Sequence, residues 1–491
     1  MYYERTIENF LQRPLHLGFA LGATGGLVWV LAASYMSAGT AFVAVGGLLV
    51  ASALFIFPSA AFLLVAAVIP LERIGRLTPD SSMYTVSVMR FVGLLALAVF
   101  LLHAALKKWR LQFGAAFTMY GAFCVWAICT VTFSSDSLGG VRAISAILGN
   151  LLFFFLVVNM ARSWTMIRAA VVVWLLACTL IGVYTIYEWH SGSFRIAETQ
   201  LGATSERFST VLRDNSEWES LGVTVDRALG TTSSPAVHGI NMILTVPFFF
   251  FFFRTQRNWY SKALALIGCV VAVYNALLTN TRAAILVVIF TLVLCFAWRM
   301  ILLTPRALLT LAAAAVVIVA LSPEAMYQRV LKLSNYTLAG SGTLQTRMKY
   351  WDAGLQIIDR HWMTGVGMGN QLEVPALANV QGPDESTVHN EFLETMIETG
   401  VFGWLVFFGF VSLLLWSGFK AASAYRLISP SSPQHWFMVA CIIAMFSVLV
   451  YGVQVDVFHF PLKGWWLVAG LTWTMYQLSR HEPKAVPGPA R

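Results

Sequence analysis

Continuous apolar runs of about 20 residues recur along most of this chain, and each is long enough to cross a bilayer as a helix. The composition agrees, because 58% of the 491 residues are hydrophobic and only 11% are charged. Soluble proteins carry about 25% charged residues. A water-soluble globular protein is therefore excluded. An outer-membrane barrel would show alternating segments instead of continuous runs, and none are visible.

The sequence predicts an all-α integral membrane protein with 12–14 transmembrane helices. The fourteen candidate spans are residues 15–36, 37–56, 57–70, 86–106, 112–133, 143–160, 166–187, 232–253, 261–279, 283–298, 307–321, 396–418, 436–454 and 464–478. The segment 57–70 is short and follows Phe57-Pro58, which is compatible with a tilted or re-entrant half of the segment before it.

Lys and Arg residues in short loops favour one side of these spans, and positive short loops mark the cytoplasm. Both termini are therefore expected in the cytoplasm. The predicted parts are N-terminal transmembrane helices (1–187), a periplasmic loop (188–231), transmembrane helices carrying arginine sites (232–321), a large periplasmic catalytic loop (322–395), C-terminal transmembrane helices (396–480) and a cytoplasmic tail (481–491).

The formal net charge of +9 does not indicate a nucleic-acid partner, because the cations form no basic stripe interleaved with aromatic residues. Clusters of His, Cys, Asp and Glu with metal-ligand spacing are absent from the sequence, and the six cysteines all lie in apolar segments. We therefore expect no nucleic acid, no metal, no cofactor and no disulfide framework.

Three segments carry structural expectations. Residues 345–362 have apolar side chains three and four apart, which predicts an amphipathic helix on the membrane surface or roofing the bundle. Its predicted apolar stripe is Met348, Trp351, Leu355, Ile358 and Trp362. Residues 365–370 read GVGMGN without a preceding strand or a Walker lysine, so a tight turn is preferred over a nucleotide loop. The phenylalanine run 248–253 is expected to face lipid.

The residues with chemical potential lie on the predicted outer face. His389 lies at the start of a predicted helix, where a hydrogen-bonded interfacial role is as compatible with the sequence as a role as a base. Glu391, Glu394 and Glu398 share one face of that helix and suit the positive end of its dipole.

Two arginines complete this set. Arg282 lies between two spans that almost no loop separates, and arginine is costly there unless it is paired or binds an anion. Arg227 enters a span from the same side, with a salt bridge to Asp226 or interfacial anchoring as alternatives. Arginine binds phosphate oxygens with a bidentate fork, and histidine accepts a proton near neutral pH. The three residues together suggest a diphosphate site beside a proton acceptor.

At these residues the sequence resembles the superfamily of O-antigen ligases and Wzy-type polysaccharide polymerases of the bacterial envelope. His389-Asn390, followed by Gly400 and Gly403, is similar to the family's histidine motif. Thr281-Arg282 resembles its arginine at the head of a span, and Arg227 before Gly230 and Pro235 resembles its second arginine. Residues 342–370 resemble the segment upstream of the histidine. The chain has Pro235-Ala236 where the family has Pro-Asn.

The resemblance implies a GT-C-like glycosyltransferase with a helical periplasmic subdomain in the bacterial inner membrane. The implied donor is an undecaprenyl-diphosphate-linked oligosaccharide, and no cofactor is implied. Arg227 and Arg282 would bind the diphosphate, and His389 would deprotonate the acceptor hydroxyl in an inverting displacement. Arg347, Asn390 and Glu398 are further candidates. A flippase and a chain-length regulator are the expected protein partners.

Three functions stay open at this point. A polysaccharide polymerase leads, since many spans and a large loop 322–395 favour it. An O-antigen ligase, or a relative that glycosylates protein, would use the same donor and the same motifs. A lipid or sugar transporter would require charges near the bilayer midplane and pseudo-symmetric halves, and neither is visible.

Overall fold

The fold is a helical bundle, seen in a computed structural model that describes residues 53–71, 88–106, 109, 111–192, 209–214, 225–232, 234–301, 305, 309, 312–313, 316, 342–370, 377, 388–455 and 462–481. The helices with defined bounds are α1 (Pro58–Val68), α2 (Val88–Ala105), α3 (Ala115–Val131), α4 (Ser137–Met160), α5 (Trp164–Ser191), α6 (Pro235–Thr255), α7 (Trp259–Leu278), α8 (Arg282–Ala297), α9 (Gly342–His361), α10 (Glu391–Ile428), α11 (Pro433–Gly452) and α12 (Lys463–His481). The predicted span 15–36 and most of 37–56 and 307–321 lie outside the described residues.

Seven of these helices are long and apolar enough to cross a membrane, namely α2, α4, α5, α6, α7, α10 and α11. The helices α1, α3 and α8 are apolar but shorter. All of them coincide with predicted spans, and α12 coincides with the predicted span 464–478. The structure thus confirms an all-α integral membrane protein. Among the described residues, seven helices meet the length and hydropathy requirements for a span, which is fewer than the 12–14 spans expected.

The central helix of the bundle is α6, which packs against α7, α8 and α11. It begins at Pro235 behind the N-cap Ser234, whose side chain accepts from the Ala236 amide. Phe248 is fully buried, the following side chains up to Phe252 are at most 8% exposed, and Phe253 is the exposed residue of this run. The expectation that residues 248–253 face lipid is therefore wrong. Apolar composition cannot separate lipid-facing from helix-facing positions, because lipid tails are as apolar as leucine.

The loop 188–231 contains two strands that sequence patterning did not predict, β1 (Val211–Asp214) and β2 (Val225–Ala228). They pair antiparallel, with Leu212 opposite Arg227. At the end of α5, the buried Glu188 carboxylate accepts a hydrogen bond from the Thr210 amide at 2.8 Å and a second from the Thr210 hydroxyl. Four-residue strands carry too little alternation to be detected in a sequence. They fix Arg227 against the bundle.

The helix α10 is bent at Gly400, where φ is 64° and ψ is −173°. This is a backbone conformation that essentially only glycine adopts. The turn at residues 365–369 packs into the bend, since the Val366 amide donates to the Ile397 carbonyl at 2.9 Å and the Gly367 amide to the Glu398 carbonyl at 3.1 Å. A Cβ on Gly365 would lie 2.5 Å from the Glu398 carbonyl oxygen. The close backbone approach predicted for this turn is confirmed.

The amphipathic helix predicted at 345–362 is α9, but of its predicted stripe Trp351 and Ile358 are the residues that pack against the apolar cluster between α9 and α10. Tyr350, Ala353 and Ile357 are buried against α10, and they form a small apolar cluster with Val388. The predicted stripe residues Met348, Leu355 and Trp362 are each about half exposed, at 52%, 53% and 52%. The helix is apolar on two faces, so residue spacing alone did not show which one packs.

Neighbouring helices run in alternating directions, so the bundle has two distinct ends. At one end the start of α6 meets the end of α11, because the Tyr451 hydroxyl donates to the Ala236 carbonyl at 2.9 Å. The starts of α8 and α10 lie at this end, which we call the His389 end. The opposite end holds the ends of α6, α8 and α10 and the start of α11, and we call it the Arg254 end.

Candidate active site

Arg227 and Arg282 are brought together at the turn between α7 and α8. Arg227 donates from Nε to the Thr279 carbonyl at 3.2 Å and from Nη2 to the Thr281 hydroxyl at 3.3 Å. Thr281 immediately precedes Arg282, the first residue of α8. The sequence places the two arginines 55 positions apart. The fold places them on neighbouring backbone at the His389 end.

The same turn is fixed by a second contact to β2. Asn280 has a φ of 52°, in the left-handed region where asparagine is enriched among non-glycine residues. Its side-chain amide donates to the Asp226 carbonyl at 2.8 Å. Hydrogen bonds from Asn280 and from Arg227 therefore join β2 to the α7–α8 turn. Arg227 and Arg282 are both half-buried residues.

His389 occupies the junction between α9 and α10. Its φ is 50°, so a non-glycine residue adopts the left-handed region beside a helix start. Val388 before it is fully buried, and its carbonyl accepts from the Trp351 indole at 3.1 Å. Such conformations cost about 1–3 kcal/mol and cluster at active sites, where the surrounding structure maintains them. Here the contacts with α9 before His389 and the first turn of α10 after it hold His389 in this conformation.

Asn390 is the N-cap of α10. Its side-chain oxygen accepts from the Phe392 amide at 3.1 Å and from the Leu393 amide at 3.3 Å. These bonds satisfy two of the amides that lack a partner within a helix. Capping accounts for asparagine at this position, directly after His389.

Tyr451 lies near both Arg227 and Arg347 and was missed in the sequence. It is fully buried near the end of α11. Arg347 lies one helical turn before Trp351, the residue that contacts the carbonyl preceding His389. A single tyrosine at the end of an apolar span is typical of interfacial anchoring, so the sequence carried no signal for it.

The three glutamates of α10 are buried inside the bundle. Glu391, Glu394 and Glu398 are each at most 1% exposed. Glu391 and Glu398 line an internal space of about 10 Å³ together with Tyr120 of α3, which is about the room that one water needs. Glu391 also interacts electrostatically with Tyr120. The helix dipole is thus only part of the environment of these glutamates. The full burial of Glu398 favours a role in holding α10 rather than contact with substrate.

The described residues include no group of three or more His, Cys, Asp or Glu side chains that could hold a metal ion. At the His389 end the structure places Arg227 beside the turn that precedes Arg282, and arginine supplies fixed positive charge to phosphate oxygens. The arrangement can bind a diphosphate with its own side chains.

A comparison with protein-family models matches the segment that contains Arg282 and His389. Residues 267–408 match the O-Antigen ligase family model. The matched segment contains Arg282, Arg347, His389 and Gly400, and the resemblance drawn from these residues is confirmed. Arg227 precedes the matched segment, and its side chain donates to Thr279 and Thr281 within it. No curated protein matches the chain.

The O-antigen ligase match and the bundle together support a membrane enzyme of glycan transfer, of the ligase or polymerase kind. They also support a lipid-linked substrate and a multi-pass location in a lipid bilayer.

Proposed function

We propose that this protein is a polysaccharide polymerase, which transfers a growing glycan from undecaprenyl diphosphate to a sugar hydroxyl of the next lipid-linked repeat unit. The product would be an exopolysaccharide or an O-antigen. The observation that carries the proposal is the pairing of Arg227 with the turn that precedes Arg282. Two guanidinium groups held on neighbouring backbone suit the two phosphates of a diphosphate.

In the proposed reaction, the donor diphosphate binds Arg227 and Arg282 at the His389 end. The His389 imidazole accepts the proton of the acceptor hydroxyl, whose oxygen then attacks the anomeric carbon. The bond from that carbon to the diphosphate oxygen breaks, and the lipid diphosphate leaves with the electron pair. Attack opposite the leaving group in a single displacement inverts the anomeric configuration.

The arginines stabilise the charge that develops on the leaving diphosphate, which is the work that metal ions do in other phosphate sites. Arg347 shares the electrostatic environment of Tyr451 with Arg227, and its proposed role is to extend the positive surface towards α9. Asn390 positions His389 by capping α10, and Glu398 has no proposed contact with substrate.

The proposed setting is the bacterial inner membrane, with both termini cytoplasmic and the His389 end periplasmic. The fold is proposed to be GT-C-like, with α9 as the helical part of the periplasmic subdomain. A flippase would supply the lipid-linked donor, and a chain-length regulator would set when polymerisation stops.

A second candidate is an O-antigen ligase, which would transfer the same donor glycan to lipid A core or to protein. The description of the matched family favours it. Both reactions use the same diphosphate donor and the same base, so they differ only in the acceptor.

The experiment uses purified full-length protein reconstituted in lipid with its undecaprenyl-diphosphate-linked repeat unit as the only substrate. A polymerase produces a ladder of glycan lengths, because another donor molecule is the only acceptor present. A single transfer that requires added lipid A core or acceptor protein would identify a ligase.

Arg282→Gln and Arg282→Lys test the phosphate role in the same assay, with the exposed Arg360→Gln as the matched control. Transfer should be lost in Arg282→Gln and stay strongly reduced in Arg282→Lys, because lysine lacks the bidentate fork. Full transfer by Arg282→Gln at normal expression would contradict the proposal.

A further inference from the structure

At the Arg254 end, a cavity of about 740 Å³ opens between the ends of α6, α8 and α10 and the start of α11. Its lining includes Arg254, Arg299 and Arg426 together with His435. Among the described residues that line it there is no carboxylate. The cavity lies across the membrane thickness from His389, so the glycan-transfer site does not account for it.

Arg254 is fixed at the wall of this cavity. Its guanidinium group lies 3.7 Å from the centre of the Trp436 ring, and Nη1 donates to the Arg299 carbonyl at 2.7 Å. A guanidinium stacked on an indole keeps its charge while one face is shielded from water. The remaining donors of the planar group therefore keep a fixed direction.

Arg299 has an unusual backbone position. It follows α8 with a φ of 57°, and the next residue, Met300, donates its amide back to the Cys295 carbonyl at 2.9 Å. This is the glycine position of a Schellman helix end. Arginine there costs stability relative to glycine. A ligand bound by the Arg299 side chain in the cavity would offset this loss of stability.

Helix dipoles explain part of the cluster. Arg254 and Arg426 lie in the last turns of α6 and α10, where a cation is stabilised by about 0.3–1 kcal/mol. Helix dipoles do not explain why the ends of three helices surround one open space. They also do not explain why His435 lines that space. The His435 Nδ1 donates to the Ala422 carbonyl at 2.9 Å.

We propose that this cavity binds the phosphate headgroup of an anionic phospholipid in the membrane leaflet on the Arg254 side. Basic pockets between transmembrane helices are suited to anionic headgroups. A lipid is favoured over a free phosphate ion because the walls combine the arginines with Trp298, Phe419 and Ile442. Phe419 in this wall is 40% exposed, so the lining presents an apolar surface beside the charged one.

The test uses the full-length protein, purified in a neutral detergent and offered a mixture of phosphatidylglycerol and phosphatidylcholine. Native mass spectrometry counts the lipids that each variant retains. The variant is Arg299→Gln/Arg426→Gln, in which both side chains are exposed. The control, Arg257→Gln/Arg480→Gln, removes the same charge from exposed positions at the same end that do not line the cavity.

The wild type and the control should retain phosphatidylglycerol in preference to phosphatidylcholine. The cavity variant should bind it at least about tenfold more weakly, which corresponds to about 1.4 kcal/mol. Millimolar inorganic phosphate should not displace the lipid. Arg426→Glu, a single change at an exposed position, should give the same loss if the double variant is poorly folded.

Equal retention by the cavity variants and the control would overturn the proposal. So would equal retention of the two lipids by the wild type. Displacement by inorganic phosphate would identify a site for a free anion instead of a lipid. None of these outcomes depends on glycan transfer, so the lipid site and the proposed polymerase activity stand or fall separately.

Discussion

The residues at the His389 end divide into those that can touch substrate and those that place them. His389 and the arginine pair are half-buried and carry the groups that the proposed reaction requires. Asn390, Tyr451 and the carbonyl of Val388 are engaged in structural contacts. The distinction can be tested one side chain at a time.

His389→Gln should reduce glycan transfer by about 10²–10⁴-fold while leaving expression and folding unchanged, because it removes the proton acceptor. The matched control is His361→Gln, an exposed histidine at the end of α9. Transfer is measured with the reconstituted protein and its lipid-linked donor. Full activity in His389→Gln would show that this imidazole is not the base.

Asn390→Ala should lower the free energy of unfolding by about 1 kcal/mol, whereas Asn390→Ser should retain both stability and transfer, since serine caps helices as well as asparagine. Thermal unfolding and transfer are measured on the same samples. A serine variant as stable as the wild type but inactive would mean that the amide contacts substrate.

Among the elements, α10 determines the geometry more than any other helix. Its 38 residues run from the histidine junction at one end of the bundle to Arg426 at the other. The bend at Gly400 receives the turn at residues 365–369, so the segments before and after the bend are held by different partners. The glycines of this turn and bend are therefore part of how the site is built.

Gly400→Ala should destabilise the protein by about 1–3 kcal/mol from backbone strain alone. A Cβ there would also lie 2.3 Å from the Met363 carbonyl oxygen. The control is Gly121→Ala in α3, where a Cβ meets nothing within 4 Å. Thermal melting of the two variants in the same detergent compares them, and equal melting temperatures would contradict the role given to this bend.

At the scale of the whole molecule, the sequence predicted the class of fold and placed Arg227, Arg282 and His389 on one face, and the structure has all three at one end of the bundle. Span positions follow from hydrophobic length, and Arg282 and His389 stood out because charged groups at helix ends in a membrane need a reason. Other features depend on contacts between distant segments. The burial of Phe248, the packing face of α9 and the position of Tyr451 near two arginines are of this kind, and no local pattern encodes them.

The two ends should also differ in their access to water on the two sides of the membrane. Asp352→Cys on the exposed face of α9 should react with an impermeant maleimide added outside spheroplasts, and Arg257→Cys should react only after permeabilisation. Both changes are made together with Cys129→Ala, because Cys129 is the exposed native cysteine. The reverse labelling pattern would invert the proposed topology.

The turn that carries Arg282 also has a consequence for the speed of the enzyme. Arg227 is hydrogen-bonded to the Thr279 carbonyl and the Thr281 hydroxyl, so its guanidinium group is fixed beside the residue that precedes Arg282. In the proposed reaction the carrier lipid gains a negative charge when its bond to the sugar breaks, so the spent carrier should bind the arginine site more tightly than the donor did. Departure of the carrier, rather than bond formation, should then limit turnover, and a rapid-mixing experiment should show a first transfer faster than all later ones.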